Sequence, residues 1–474
     1  MSKTITISPV SRLEGHGKVT ILLNDKNEVA ASHFHVVEFR GFEKFCEGRL
    51  MSEMPLITSR ICGICPVSHH LASVKACDEI LQVKIPPAAI KLRELIQMGQ
   101  YIHSHALHFF YLAAPDFVLG PASDPAKRNV VGIIEADPEL GKKAIRLRKI
   151  GQDIVDRVGG RPIHPVTAIP GGMSKSLSHE DRFIMRKEMD EAVELAKLSL
   201  SIGKSVYEKF ADIVPLFAVI KTNYMGLVKN GNLELYDGTL RLIDEEGKKL
   251  EEFDPRDYLS YLGEHVEDWS YMKFPFYKKQ GVVEGVYRVA PLARLNVADA
   301  ISTPLANKEL VEFKKLGNGQ PVHETLYYHY ARLIELLYAT ERARELLDDD
   351  EIVSKEVRVK VDRRQGEGVG VIEAPRGTLI HHYWADDAGK IEKANIIVAT
   401  AHNNAAINLS VNEVAKEFVK GGKIEEGALN MVEMAVRCYD PCLSCATHAI
   451  GQMPLEISLL DADGKMVDTV ERSI

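Results

Sequence analysis

The chain has 474 residues, 45% of them hydrophobic and 27% charged, with a formal net charge of -8. That composition is of a globular protein with ample material for a core. It excludes the strongly basic surface that generic nucleic-acid binding needs, and no apolar run is long enough to span a bilayer.

The N-terminal stretch "MSKTITISPVSRLEGHG" has no apolar core of the signal-peptide kind, so a cytoplasmic protein is expected. Residues 18–23, "KVTILL", alternate as a β-strand; "NDKN" is a turn, and "EVAASHFHVVEF" runs back to complete a hairpin. A long helix is predicted from Pro86, whose prolines suit a first helical turn, to about Ala114. Ser178 and Asp181 open a second one, reaching Val214. Residues 323–347 form a third. Between and after them come hairpin patterns at 233–253, 378–400 and 453–471, each with Gly or Asp at its turn. There is no repeat, low-complexity segment or Pro/Ser-rich linker. The expected fold class is α+β, mainly helical, a long-helix core with peripheral β hairpins.

The seven cysteines are Cys46, Cys62, Cys65, Cys77, Cys438, Cys442 and Cys445. An odd number in such a chain does not suggest a disulfide framework. Four of them form two C-x-x-C pairs, in "RICGICPVSHH" and "DPCLSCATH". Two such pairs can build one four-thiolate site. Structural zinc ribbons place their pairs within about 20 residues, whereas nearly the whole chain separates these two. A redox dithiol needs only one pair, in a thioredoxin-like context that is missing. Structural zinc and a catalytic metal both remain open on spacing alone. His69 and His448 follow the pairs, and Arg60 and Asp440 precede them, which are residue types that orient ligands or bond to sulfur.

The two motifs together resemble the signatures of the nickel–iron hydrogenase large subunit. The resemblance extends through "SRLEGHGKV", "EFRGFEKF", "GLVKNG", "YRVAPLARLN", "EAPRGTLIHHY" and "IIVATAHNN". It implies a nickel–iron centre with carbonyl and cyanide ligands on iron, and reversible heterolysis of dihydrogen. By position, Cys62 and Cys442 are the implied terminal nickel ligands, and Cys65 and Cys445 the bridges. Glu14 matches the proton-relay glutamate; without the resemblance, an ion pair with Arg12 is its simplest reading. Arg376, approached through Pro375, matches the guanidinium over the open face of the metals, with Asp116 and Asp440 as its carboxylate neighbours. Thr400 matches a hydroxyl that bonds a cyanide, although Ala399 stands where relatives often have proline. His69 is an implied donor to a bridging sulfur. Glu43, the Ile396 carbonyl and His448 are implied ligands of a magnesium or iron ion near the C-terminus.

The family's large subunit is also made with a C-terminal extension, cut after the histidine of the second motif. Here that leaves residues 1–448 as one interlocked unit and 449–474 as a removable latch holding the second cysteine pair off the core. A maturation endoprotease and nickel-insertion chaperones are implied partners. The three other cysteines are too few for a four-cysteine cluster, so an iron–sulfur small subunit is implied too. Electrons would pass through it to NAD(P) by a diaphorase; the alternative is a methyl-viologen-reducing enzyme feeding heterodisulfide reductase or ferredoxin. A dihydrogen sensor or a structural zinc protein are readings of a different class. His103, His105 and His108 in "HSHALH" lie on different helix faces and are expected to be structural. His381 and His382 point to opposite sides of a strand. Cys46, Cys77 and Cys438 are expected to be buried small hydrophobes.

Overall fold

The computed structural model describes residues 3–362, 364–422, 425–446, 455–460 and 466–472. The first predicted hairpin forms, as Gly17–Leu23 paired antiparallel with Val29–Val36. A further strand, Lys3–Ile7, absent from the sequence expectation, pairs on its outer side. The buried face of this sheet carries Val19, Ile21, Leu23, Phe34 and Val36.

The first long helix spans Pro87–Leu107 and then widens into a π-helical turn, His108–Ala113, before Ala114–Val118. A proline at 115 has no N–H for the ladder, and its ring cannot sit against the carbonyl four residues back. The second helix, His179–Lys209, is capped by Ser178, whose hydroxyl accepts from the Asp181 N–H at 3.0 Å. The third begins later than its pattern, as Tyr328–Asp348 after a 3-10 turn at Thr325–Tyr327. Thr325 is held outside it by bonding through both backbone N–H and hydroxyl to the Ala218 carbonyl. Pro138–Gly159 packs along the first helix.

The hairpin predicted at 378–400 is not peripheral. Gly366–Ala374, Gly377–Ala385 and Ile391–Ile397 form an antiparallel sheet whose middle strand is buried along almost its whole length. It lies against the helix Pro66–Leu81. The approach requires glycine, because a Cβ at Gly370 would stand 2.0 Å from the Ala72 carbonyl oxygen and one at Gly368 2.3 Å from that of Ala76. Alternation cannot report this burial, since a strand covered on both faces has no polar side. The C-terminal hairpin forms as Leu455–Leu460 and Met466–Arg472. No helix among the described residues is long and apolar enough to cross a membrane.

Candidate metal centre

Cys62 follows a 3-10 turn, Ser59–Ile61, and Cys65 caps the helix Pro66–Leu81. The second pair follows Asp440, whose φ of 53° turns the chain sharply after the helix Glu426–Cys438. The N-terminal segment then locks onto it: Glu14 and Cys442 form an isolated parallel bridge, and the Leu443 N–H donates to the Glu14 carbonyl at 3.1 Å. Gly15, at φ 84°, lies so close that an added Cβ would be 2.8 Å from that of Leu443.

The four sulfurs lie within 4.8 Å of one another, all buried, and form the one group of potential metal ligands found among the described residues. Cys62 and Cys442 are 3.0 Å apart, Cys65 and Cys445 3.3 Å. Four such charges cannot coexist in a dry site without a cation. Burial opposes the Cys62 thiolate, but hydrogen bonds from Cys442, Cys445 and Cys65, with Arg376 nearby, hold it well below the usual thiol range. Burial, reinforced by Cys445 and Cys62, pushes Cys442 well above that range, and burial does the same to Cys445. The metal-free site therefore keeps protons that a metal would displace.

Around the sulfurs stand the sequence-predicted residues. Glu14 places Oε2 3.1 Å from Cys442 Sγ and accepts from the Ser444 N–H at 3.0 Å, so its reading as a partner of Arg12 gives way to a sulfur contact. Arg12 instead pairs with Asp116. Arg376 is buried, donating to Asp440 Oδ1 at 3.0 Å and to Ser104 Oγ at 3.3 Å. Burial disfavours its charge, yet Asp440 and the cysteines more than offset this and keep it protonated. Asp440 is raised by its own burial, against the pull of Arg376 and Arg332. Asp116 does not support Arg376 in the way expected. Its carboxylate is engaged by Arg12, by Arg437 at 3.1 Å and by Asn430 at 3.0 Å. Pro375 is held through its carbonyl, which accepts from Arg294 at 3.2 Å.

Thr400 Oγ1 accepts from the Cys442 N–H at 2.9 Å, leaving its own O–H to donate elsewhere. A small cavity beside Cys65, Cys442 and Cys445 is walled by Ala374, Leu379, Val398 and Ala399, with His69, Arg376 and Thr400 as its polar corners. His69 Nε2 lies 3.4 Å from Cys445 Sγ. Glu43 Oε1 accepts from the Ile396 N–H at 2.7 Å. His448 lies outside the described residues. The two cysteine pairs lie together although residues 455–460 and 466–472 are also described, which differs from the expectation that 449–474 keep the second pair off the core.

Sequence reasoning missed Ser104, which sits inside the very "HSHALH" that drew attention for its histidines. It also missed Arg294 and Glu335, buried partners in an ion pair that holds the Ala374–Pro375 turn. The three histidines do not converge: His105 bonds Glu335 and His108 the Arg437 carbonyl. Cys46, Cys77 and Cys438 are buried apart from the centre, Cys46 pushed up to about 12 by burial.

A thiolate-rich, dry pocket with a carboxylate on one sulfur and a fixed guanidinium beside it defines a metalloenzyme built around a soft metal. The family model described as nickel-dependent hydrogenase matches residues 40–139 and 183–448, and one described as HoxL-like matches 4–39. The chain is 47% identical to a subunit of the vhc F420-non-reducing hydrogenase of Methanococcus voltae, over 98% of this chain and 99% of that one. It is 43% identical to the beta subunit of the NAD-reducing hydrogenase HoxS of Cupriavidus necator, over 99% of each. A crystal structure of an NAD+-reducing [NiFe]-hydrogenase in the H2-reduced state superposes with a TM-score of 0.92 at 45% identity, covering 94% of this chain and 99% of that one. The chain belongs to the nickel-dependent hydrogenase family. It is the catalytic large subunit of a nickel–iron hydrogenase, which splits dihydrogen reversibly into protons and electrons.

Proposed function

We propose that Cys62, Cys65, Cys442 and Cys445 hold a nickel–iron centre, Cys65 and Cys445 as bridges, with carbonyl and cyanide ligands on iron in the adjoining cavity. The donor set fits: soft sulfurs for both metals, apolar walls for small diatomic ligands, and an Arg376 N–H and a Thr400 O–H for cyanide nitrogens. When bound, such a centre supplies the Lewis acidity and the electron sink for heterolysis. The chain supplies the rest. Arg376, fixed by Asp440 and Ser104, stabilises charge separation on the open face. Glu14 takes the proton, and its 3.1 Å contact with Cys442 Sγ is the observation that carries this reading. Infrared spectroscopy with metal analysis of the native complex tests it: nickel, iron and carbonyl and cyanide bands are expected, and zinc alone would refute it.

Glu43, the Ile396 carbonyl and His448 are proposed as ligands of a second ion. Within a strand, the N–H and C=O of one residue point the same way, so the Ile396 carbonyl faces the side from which Glu43 accepts the N–H. Oxygen ligands suit magnesium. Residues 449–474 are proposed to be removed after His448 by a maturation endoprotease. In support, the nickel-dependent hydrogenase match ends at residue 448, and the solved chain covers 94% of this one while two of the curated relatives cover 98% and 99%. Mass spectrometry of active enzyme should find the chain ending at His448; an active full-length chain would refute the cut.

Electrons leave through an iron–sulfur small subunit. The apolar side chains Phe45 and Leu56, 53% and 46% exposed, line a cleft with Ser59 and Arg60 of the turn that leads into Cys62 and give such a partner a surface. NAD(P) is the proposed acceptor, in line with the NAD-reducing relatives. A second reading, an acceptor of the methyl-viologen-reducing type, is favoured by the 52% identity to a subunit of the vhu F420-non-reducing hydrogenase of Methanococcus voltae. Copurifying subunits and dihydrogen-dependent NAD+ reduction decide between them.

A further inference from the structure

Behind His69, the implied donor to the Cys445 sulfur, runs a chain of side chains that no role in the hydrogenase reading uses. His69 Nδ1 lies 3.0 Å from His381 Nε2, His381 Nδ1 bonds the Tyr383 hydroxyl, and Tyr383 lies 3.0 Å from Ser73 Oγ. All four residues are fully buried. The geometry follows from two periodicities. His69 and Ser73 share one face of the helix Pro66–Leu81 at a spacing of four. His381 and Tyr383 share one face of the strand Gly377–Ala385 at a spacing of two. The glycine-dependent approach of sheet to helix brings these two faces together, so the two strand groups lie between the two helix groups.

We propose that His381 and Tyr383 are positioning residues for the bridging cysteine, holding His69 in the tautomer that donates from Nε2 to the Cys445 sulfur. The inference rests on the reading of Cys445 as a thiolate ligand. A metal-bound thiolate accepts hydrogen bonds and donates none, so His69 Nε2 must carry its hydrogen. In a neutral ring Nδ1 is then the acceptor, which obliges His381 to donate from Nε2. His381 Nδ1 is left as an acceptor for the Tyr383 hydroxyl, whose single hydrogen then goes to His381 rather than to Ser73 Oγ, the other acceptor it faces at 3.0 Å. One direction of donation thus runs unbroken from Tyr383 to the sulfur, with both rings neutral. Reversing any link would put two hydrogens, or two lone pairs, face to face in a site without solvent, a costly arrangement. The result is a hydrogen bond that withdraws electron density from one bridge.

The test is infrared spectroscopy of the assembled holoenzyme carrying His381→Leu, His381→Gln or Tyr383→Phe, alongside metal content and melting temperature. Losing the enforced donor at the sulfur makes the iron more electron-rich. In His381→Leu the carbonyl and cyanide bands are expected at lower wavenumber, with the midpoint potential of the centre more negative. The glutamine amide can still donate to His69 Nδ1, so His381→Gln should bring the bands back toward wild type. Tyr383→Phe should give a smaller shift in the same direction. Wild-type band positions in all three variants at full metal content would overturn the proposal and leave the site reading intact. Should His381→Leu fail to assemble, the other two variants carry the same test. Absence of carbonyl and cyanide bands from the wild-type enzyme would overturn the site reading, and this inference with it.

Discussion

Replacing Glu14 by glutamine separates proton transfer from architecture. The amide retains an oxygen that can accept from the Ser444 N–H, now 3.0 Å from Glu14 Oε2, and the backbone bridge from Glu14 to Cys442 is untouched. Stability should change by less than the ~1 kcal/mol of an ordinary hydrogen bond. What the amide cannot do is take a proton from the sulfur 3.1 Å away. A positioned general base contributes about 10²–10⁴-fold, or roughly 3–5 kcal/mol of barrier at 1.36 kcal/mol per decade. Hydrogen–deuterium exchange between dihydrogen and D2O, which requires the proton to leave the centre, should fall by that factor, and dihydrogen oxidation with it. Nickel and iron content and the infrared bands should not change. A Glu14→Gln enzyme that exchanges within about tenfold of wild type, below the range for a general base, would show that the proton leaves by another group.

Metal loading should strengthen as pH rises. Cys442 and Cys445 are held above the ordinary thiol range in the metal-free chain and must lose their protons to bind, so acid competes with the metal; isothermal titration of the metal-free chain with zinc, a thiolate-seeking probe, checks the sign. Arg376→Ala leaves the Asp440 carboxylate buried without its 3.0 Å partner. It should cost about 3–5 kcal/mol, and the double variant with Asp440→Ala should lose less than the two single losses combined, as thermal unfolding can measure. Gly15→Ala places a side chain at φ 84° and 2.8 Å from Leu443 Cβ. Backbone strain alone is worth about 1–2 kcal/mol, and displacement of the 442–445 segment should lower the nickel retained on gel filtration.

Much of the site was legible because its chemistry is written in short, spaced motifs. Two C-x-x-C pairs can build one four-thiolate site, and Glu14, His69, Arg376 and Thr400 lie within motifs of their own. What the motifs did not carry was allegiance. Asp116 and Asp440 looked equivalent as carboxylates near an arginine, yet only Asp440 bonds Arg376, while Asp116 is bound by Arg12, Arg437 and Asn430. Which charges pair in a dry interior depends on which helices cross there, and sequence neighbourhood does not report that.

The same holds for the fold. Local pattern was enough to find three of the long helices and most hairpins, because amphipathic period and capping residues act within a few turns, but it did not single out Pro138–Gly159. It misjudged Thr325, bound to a distant carbonyl, and the turn at His108–Ala113, where a following proline changes the ladder. By itself the sequence determined which residue types could bind a metal and take a proton. Only the tertiary structure decided that the 366–397 sheet is internal, that Glu14 reaches Cys442 across the length of the chain, and that His381, bland as a strand residue, backs the histidine behind Cys445. The physical reason is that thiolate, carboxylate and imidazole chemistry belongs to the single residue. Its direction and its partner are fixed by close packing between segments far apart in sequence.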